Sequence, residues 1–103
     1  MVTVLAYSRG NEKELIVKGH ATGSTEICAA VSGIVYALAG WMQNNEEHLK
    51  HKPEPYIDLR EGDASIYFRG DQCAAAAFDV AYIGLAQIAQ THPEFVTIET
   101  KFF

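Results

Sequence analysis

Basic residues are scarce in this 103-residue sequence: eight lysines and arginines stand against thirteen aspartates and glutamates, a formal charge of −5. Nucleic-acid binding draws on clustered cations that replace the counterions around phosphates, so direct nucleic-acid binding is not expected. The acidic balance suits a basic peptide partner instead. Cysteine is rarer still. Cys28 and Cys73 make no disulfide framework and no Cys-x-x-Cys pair, and neither has the local ligands that mark a zinc site. No metal and no other cofactor is expected. No charged-then-apolar leader opens the chain, because Met1–Ser8 reads as a strand running into Arg9-Gly10-Asn11. The apolar stretch Ile27–Met42 is short for a membrane span and holds Ser32 and two glycines. A cytoplasmic protein without a membrane partner is expected. Internal repeats and low-complexity segments are also lacking, since Ala74–Ala77 is a helix-forming run.

What is present supports one packed domain over residues 1–103, with 49% hydrophobic and 20% charged residues. Val2–Tyr7 and Leu15–Lys18 are strand-like runs on either side of a polar turn at Arg9–Lys13, a hairpin pattern. Ser24 or Thr25 can cap a helix whose apolar positions Ile27, Val31, Ile34, Leu38 and Trp41 recur at helical spacing. Val35, Ala39 and Met42 widen that apolar surface, which predicts cover on more than one side, from a second helix or a second subunit. Asn44–Pro55 reads as a helix end and polar connection. Tyr56–Arg60 and Ser65–Arg69 form a second hairpin around Glu61-Gly62-Asp63. Asp71 can cap a second helix through Ala74, Phe78, Ala81, Leu85 and Ile88, which stops near Pro93, and Val96–Phe102 supplies a last strand. The order strand-strand-helix-strand-strand-helix-strand predicts a two-layer α+β domain with a mainly antiparallel sheet.

The chemistry concentrates between the first hairpin and the first helix. His20 follows Gly19 at the end of a strand, and Cys28 stands eight positions later near the helix start. A helix N-terminus carries partial positive charge and unpaired N–H groups, which favour an ionised, nucleophilic thiol. A histidine nearby can act as its base. Taken alone, Cys28 reads as a small buried hydrophobe and His20 as a strand-end histidine bonded to backbone. Their combination points to nucleophilic catalysis. Glu26 can orient His20, or simply match the helix dipole. Ser32 lies one helical turn beyond Cys28 on the same face, where it can meet substrate or permit close packing.

Gly19-His20-Ala21 and Cys28-Ala29-Ala30-Val31-Ser32, in this order of elements, resemble the ribosomal-processing cysteine protease family. The resemblance implies a catalytic dyad of His20 and Cys28, with Ser32 and Gly19 at the family's serine and glycine positions. It also implies a cytoplasmic homodimer that removes a short N-terminal extension from a large-subunit ribosomal protein, or from a capsid or scaffold precursor in phage-borne relatives. The sequence departs from the family in two places. The loop from histidine to cysteine is several residues shorter, and the acidic residue usually three positions before the cysteine is Thr25 here, with Glu26 two before. Two other classes compete with proteolysis: a non-catalytic relative that binds a protein, and a thiol-dependent redox or acyl-transfer protein. The His20/Cys28 pair favours proteolysis over binding, and the lack of Cys-x-x-Cys disfavours disulfide chemistry.

Other conspicuous residues have plainer readings. Cys73 opens the second helix without a Gly-His pair before it and reads as packing. His48 and His51, flanked by Glu46, Glu47, Lys50 and Lys52, read as a solvated polar segment rather than a metal site. Family substrates are cut after paired phenylalanines, so the ending Phe102-Phe103 could imitate a cleavage product in a groove. The preferred reading is a strand whose aromatics pack on the core.

Overall fold

A computed structural model describes residues 1–102; Phe103, half of the paired-phenylalanine ending, lies outside the described residues. The expected order of elements is present. Strands β1 (Val2–Arg9) and β2 (Glu12–Gly19) precede helix α1 (Thr25–Asn44). Strands β3 (Tyr56–Arg60) and β4 (Asp63–Arg69) precede helix α2 (Gln72–Thr91), and β5 (Val96–Phe102) follows. Alternation selects the inner face of the sheet: Val2, Val4 and Ala6 of β1, Leu15 and Val17 of β2, and Ile66 and Phe68 of β4 are buried. Lys13 shares that face, with its ammonium 5.8 Å from the Phe78 ring centroid and donating to Ser8 Oγ.

The sheet runs β3-β4-β2-β1-β5. Three of its pairings are antiparallel, whereas β5 lies parallel to β1, from Val2 beside Val96 to Ser8 beside Phe102. The sheet is therefore mixed rather than mainly antiparallel. Each helix carries the chain from one strand to another of the same direction, β2 to β3 through α1 and β4 to β5 through α2, as crossover connections do.

The first helix meets the core slightly differently from its predicted face. Ile27, Val31, Val35, Leu38, Ala39 and Met42 are buried, while Ile34 and Trp41 are only partly so. Ile34 turns toward α2, where a Cβ on Gly84 would stand 3.0 Å from Ile34 Cδ1. The second helix thus covers the side that the sheet does not. By length and composition both helices could cross a membrane, but their apolar faces pack on the sheet and on each other. Side-chain caps start both helices: Ser24 Oγ accepts from Ile27 N–H, and Asp71 Oδ1 accepts from Cys73 and Ala74 N–H. At the far end of β5, Phe102 is 66% exposed and touches only the edge of the core, with its ring 5.9 Å from that of Tyr82. It is not the core aromatic that the sequence suggested.

Candidate active site

The groove forms where β2 ends and the β3–β4 turn approaches it. Gly19 adopts φ +95°, and a side chain there would collide with the Met1 carbonyl, so the position is restricted to glycine on two counts. Its N–H donates to Gly62 O at 3.0 Å, which ties the end of β2 to the turn, while Met1 N donates to His20 O at 2.6 Å. The backbone of His20 is thereby fixed although its side chain is exposed. Its ring lies over Gly62: a Cβ built on that glycine would be 2.5 Å from His20 Nε2 and 3.0 Å from Cε1. Gly62, at φ +72°, is both the turn residue and the seat of the imidazole.

Cys28 is the fourth residue of α1 and partly buried. Helical side chains lean toward their own N-terminus, which brings Cys28 Sγ back to the segment between His20 and the helix. There Sγ accepts from Ala21 N–H at 3.2 Å and lies 3.8 Å from Ala21 O. The amide contact strengthens as negative charge develops on sulfur. The N–H of Cys28 itself is taken by Ser24 O at 3.3 Å, and that of Ile27 by Ser24 Oγ. Among the described residues, the first-turn amides of Thr25 and Glu26 are left as donors to whatever enters.

Gly19, His20, Glu26, Cys28 and Ser32, the five positions singled out in the sequence, all line one open groove of about 1000 Å³. The structure brings them to one cavity without joining them directly. No hydrogen bond among the described residues links His20 to Cys28 or to Glu26, and both ring nitrogens of His20 are free. Ser32 is exposed one turn along α1. The opposite wall comes from Leu59, Arg60, Glu61 and Gly62. Arg60 is neutralised by Asp58 at 3.0 Å and Asp63 at 3.4 Å, so Glu26 and Glu61 leave the rim acidic.

Sequence reasoning missed two contributors. Gly62 was legible only as a turn, since 42 residues separate it from His20. The Ala21 amide is main chain and leaves no side-chain signal.

The opposite end of the sheet holds a second set of reactive groups. Cys73 is exposed, not packed as expected. His48, from the 3-10 turn Glu46–His48, joins its Nδ1 to Asp71 Oδ2 at 2.7 Å, while His51 stays exposed in the connection. The hydrogen bond to Asp71 raises the His48 pKa above its ordinary 6.5, and the same bond lowers that of Asp71 below 3.8.

Neither a protein-family model nor a curated protein matches this sequence. Solved structures do match in shape. SMU.848 from Streptococcus mutans superposes with a TM-score of 0.74 at 20% identity, over 100% of this chain and 99% of its own. The essential ribosomal processing protease Prp from S. aureus, in complex with a covalently linked product peptide, gives a TM-score of 0.73 at 16% identity, over 98% of this chain and 100% of its own. The same protease with a substrate peptide gives 0.72 at 15% identity. By fold, over essentially its whole described length, the chain stands with SMU.848 and with the ribosomal processing protease Prp.

Proposed function

We propose that this protein is a cytoplasmic cysteine endopeptidase with Cys28 as nucleophile and His20 as general base. The observation that carries the reading is the placement of Cys28 Sγ in the wall of a peptide-sized groove, with the free imidazole of His20 on the same groove and the Ala21 amide directed at the sulfur. The likeness in fold to a protease crystallised with a covalently linked product peptide supports it.

In the proposed reaction His20 takes the Cys28 thiol proton and the thiolate attacks the scissile carbonyl. The resulting oxyanion faces the free first-turn amides. His20 then returns the proton to the leaving amine as the C–N bond breaks, leaving a thioester on Cys28. Water, deprotonated by His20, cleaves the thioester and releases the acid product. Apo enzymes often hold such partners apart until substrate closes the geometry, which accounts for a dyad that shares a groove without a hydrogen bond. Glu26 and Ser32 are assigned to substrate contact or support.

The substrate we propose is a short N-terminal extension on a large-subunit ribosomal protein or on a phage capsid or scaffold precursor. The acidic rim at Glu26 and Glu61 suits a basic segment of this kind. Incubation with tagged precursors, followed by intact mass, should give two fragments from the wild type and none from Cys28→Ala. Undiminished cutting by a folded Cys28→Ala protein would eliminate the mechanism. A homodimer is part of the same proposal. Since α2 already covers one side of α1, the apolar side chains left for a second subunit include the exposed Tyr36 on α1 and Val80 and Ile83 on α2. Light scattering should report twice the chain mass, and full activity in a monomer would reject the need for it.

A further inference from the structure

Three side chains with metal-ligating atoms converge away from the groove. One donor atom each from His48, Asp71 and Cys73 lie within 4.8 Å of one another. The cluster sits where β4 passes into α2, roughly 20 Å from the groove along β4 at the usual rise per strand residue. We propose that it is a binding site for a zinc-type divalent cation, with His48 Nδ1, Asp71 Oδ2 and Cys73 Sγ as ligands and the fourth position open to solvent.

The donor set is the first argument. Imidazole nitrogen, carboxylate oxygen and thiolate sulfur together select a borderline-soft divalent ion over magnesium or calcium, which take oxygen alone. The two negative charges of thiolate and carboxylate balance the cation. Geometry is the second. His48 Nδ1 and Asp71 Oδ2 already stand 2.7 Å apart across a shared proton. Two ligands on one tetrahedral zinc are about 3.3 Å apart at ordinary bond lengths, so replacing that proton by a metal opens the pair by only about 0.6 Å. Asp71 keeps its capping role throughout, because Cys73 and Ala74 N–H bond to Oδ1.

The support around the ligands is the third. Asp71 N–H donates to His48 O at 3.1 Å, which clamps the two ligand-bearing segments together. Gly70 allows this approach: a Cβ there would stand 2.7 Å from His48 O and 2.5 Å from Ala74 Cβ. The ring of Trp41 packs 6.1 Å from that of His48 and limits its rotation. Glu47 Oε1 lies 3.7 Å from Nε2, on the other side of the ring, where an outer carboxylate orients a metal-bound histidine. Binding releases the Cys73 thiol proton to the buffer, and the proton shared by His48 and Asp71 passes to Nε2 in a neutral imidazole or to the buffer from an imidazolium.

The test uses Zn²⁺ itself in competition with a chromophoric chelator, and Co²⁺ as a spectroscopic probe. One Zn²⁺ should bind per wild-type chain, raise the melting temperature, and be replaceable by Co²⁺ with a thiolate-to-cobalt absorption band. Cys73→Ser, at an exposed position, and His48→Gln, at a half-buried one, should each weaken binding by about tenfold or more and abolish or shift that band, while Cys28→Ser retains both. The proposal is overturned by the lack of saturable binding, by undiminished binding in Cys73→Ser, or by loss of the band in Cys28→Ser, which would put the metal on the groove thiol.

Discussion

Both ends of the sheet set a cysteine in the first turn of a 20-residue helix close to a histidine, yet the two pairs are wired in opposite ways. At the groove, Cys28 is recessed and held by a backbone amide, and among the described residues nothing bonds to either ring nitrogen of His20. At the other end, Cys73 is exposed, and both nitrogens of His48 face carboxylates, Asp71 at 2.7 Å and Glu47 at 3.7 Å. A base must have a nitrogen free to take and return a proton; among the described residues both ring nitrogens of His20 are unbonded, whereas His48 already commits Nδ1 to Asp71. A ligand needs fixed aim, and His48 has that. Two residue types in the same local setting are thus distinguished by what their neighbours leave unbonded.

The sharpest way to break this contrast is to remove each histidine in turn. His20→Ala should lower kcat/KM for a cleavable precursor by roughly 10²–10⁴-fold, the usual worth of a general base, while His48→Gln leaves it unchanged. Equal losses would erase the distinction between the two ends.

The hairpin glycines offer a second comparison of intermediate size. Gly10 and Gly62 both adopt positive φ, +60° and +72°, but a side chain meets open space at Gly10 and the His20 ring at Gly62. Alanine at either should cost roughly 1–2 kcal/mol of stability from the left-handed backbone alone. Only Gly62→Ala should also reduce cleavage, by up to about 10²-fold, through displacement of the imidazole. Matching activity in the two variants would show that Gly62 seats nothing of catalytic importance.

The smallest effect is in the pH dependence of stability. His48, raised by Asp71, contributes stability that is complete below its ordinary 6.5 and lost as pH rises through its folded value. Asp71, lowered by His48, contributes stability that is complete above 3.8 and lost as pH falls through its folded value. The gap in melting temperature between wild type and His48→Gln should therefore be widest between those two ordinary values and narrow on either side. A gap that does not change with pH would mean the pair contributes nothing through its charges.

Much of this arrangement was legible in the residues. Caps at Ser24 and Asp71, glycines in both hairpin turns and the alternation of β1 and β2 are local signals, and local physics produced each of them. The five groove positions were legible for the same reason, since they fall within fourteen consecutive residues, from Gly19 to Ser32. Neighbours in space carry no such mark. Alternation shows which face of a strand is apolar but not which strand lies beside it, so the parallel pairing of β5 was missed. Asp71 and Cys73 read as a cap and a packing residue because 23 residues separate His48 from Asp71. The periodicity of α1 marked Ile34 as facing the sheet, whereas the absence of a side chain at Gly84 draws it to α2.

The pairing of β5 with β1 also has a bearing on how the chain is made. Of the described elements, β5 is the last to leave the ribosome, and it hydrogen-bonds to the first. Until it arrives, β1 is paired on one side only, by β2, and its other edge offers a row of unmet amides and carbonyls to any passing strand. The N-terminal hairpin and α1 can form early, but the sheet beneath the groove is finished only by a contact spanning nearly the whole chain, and such long-range contacts form slowly. A chain halted before Val96 would carry both His20 and Cys28 and still present β1 as an adhesive edge.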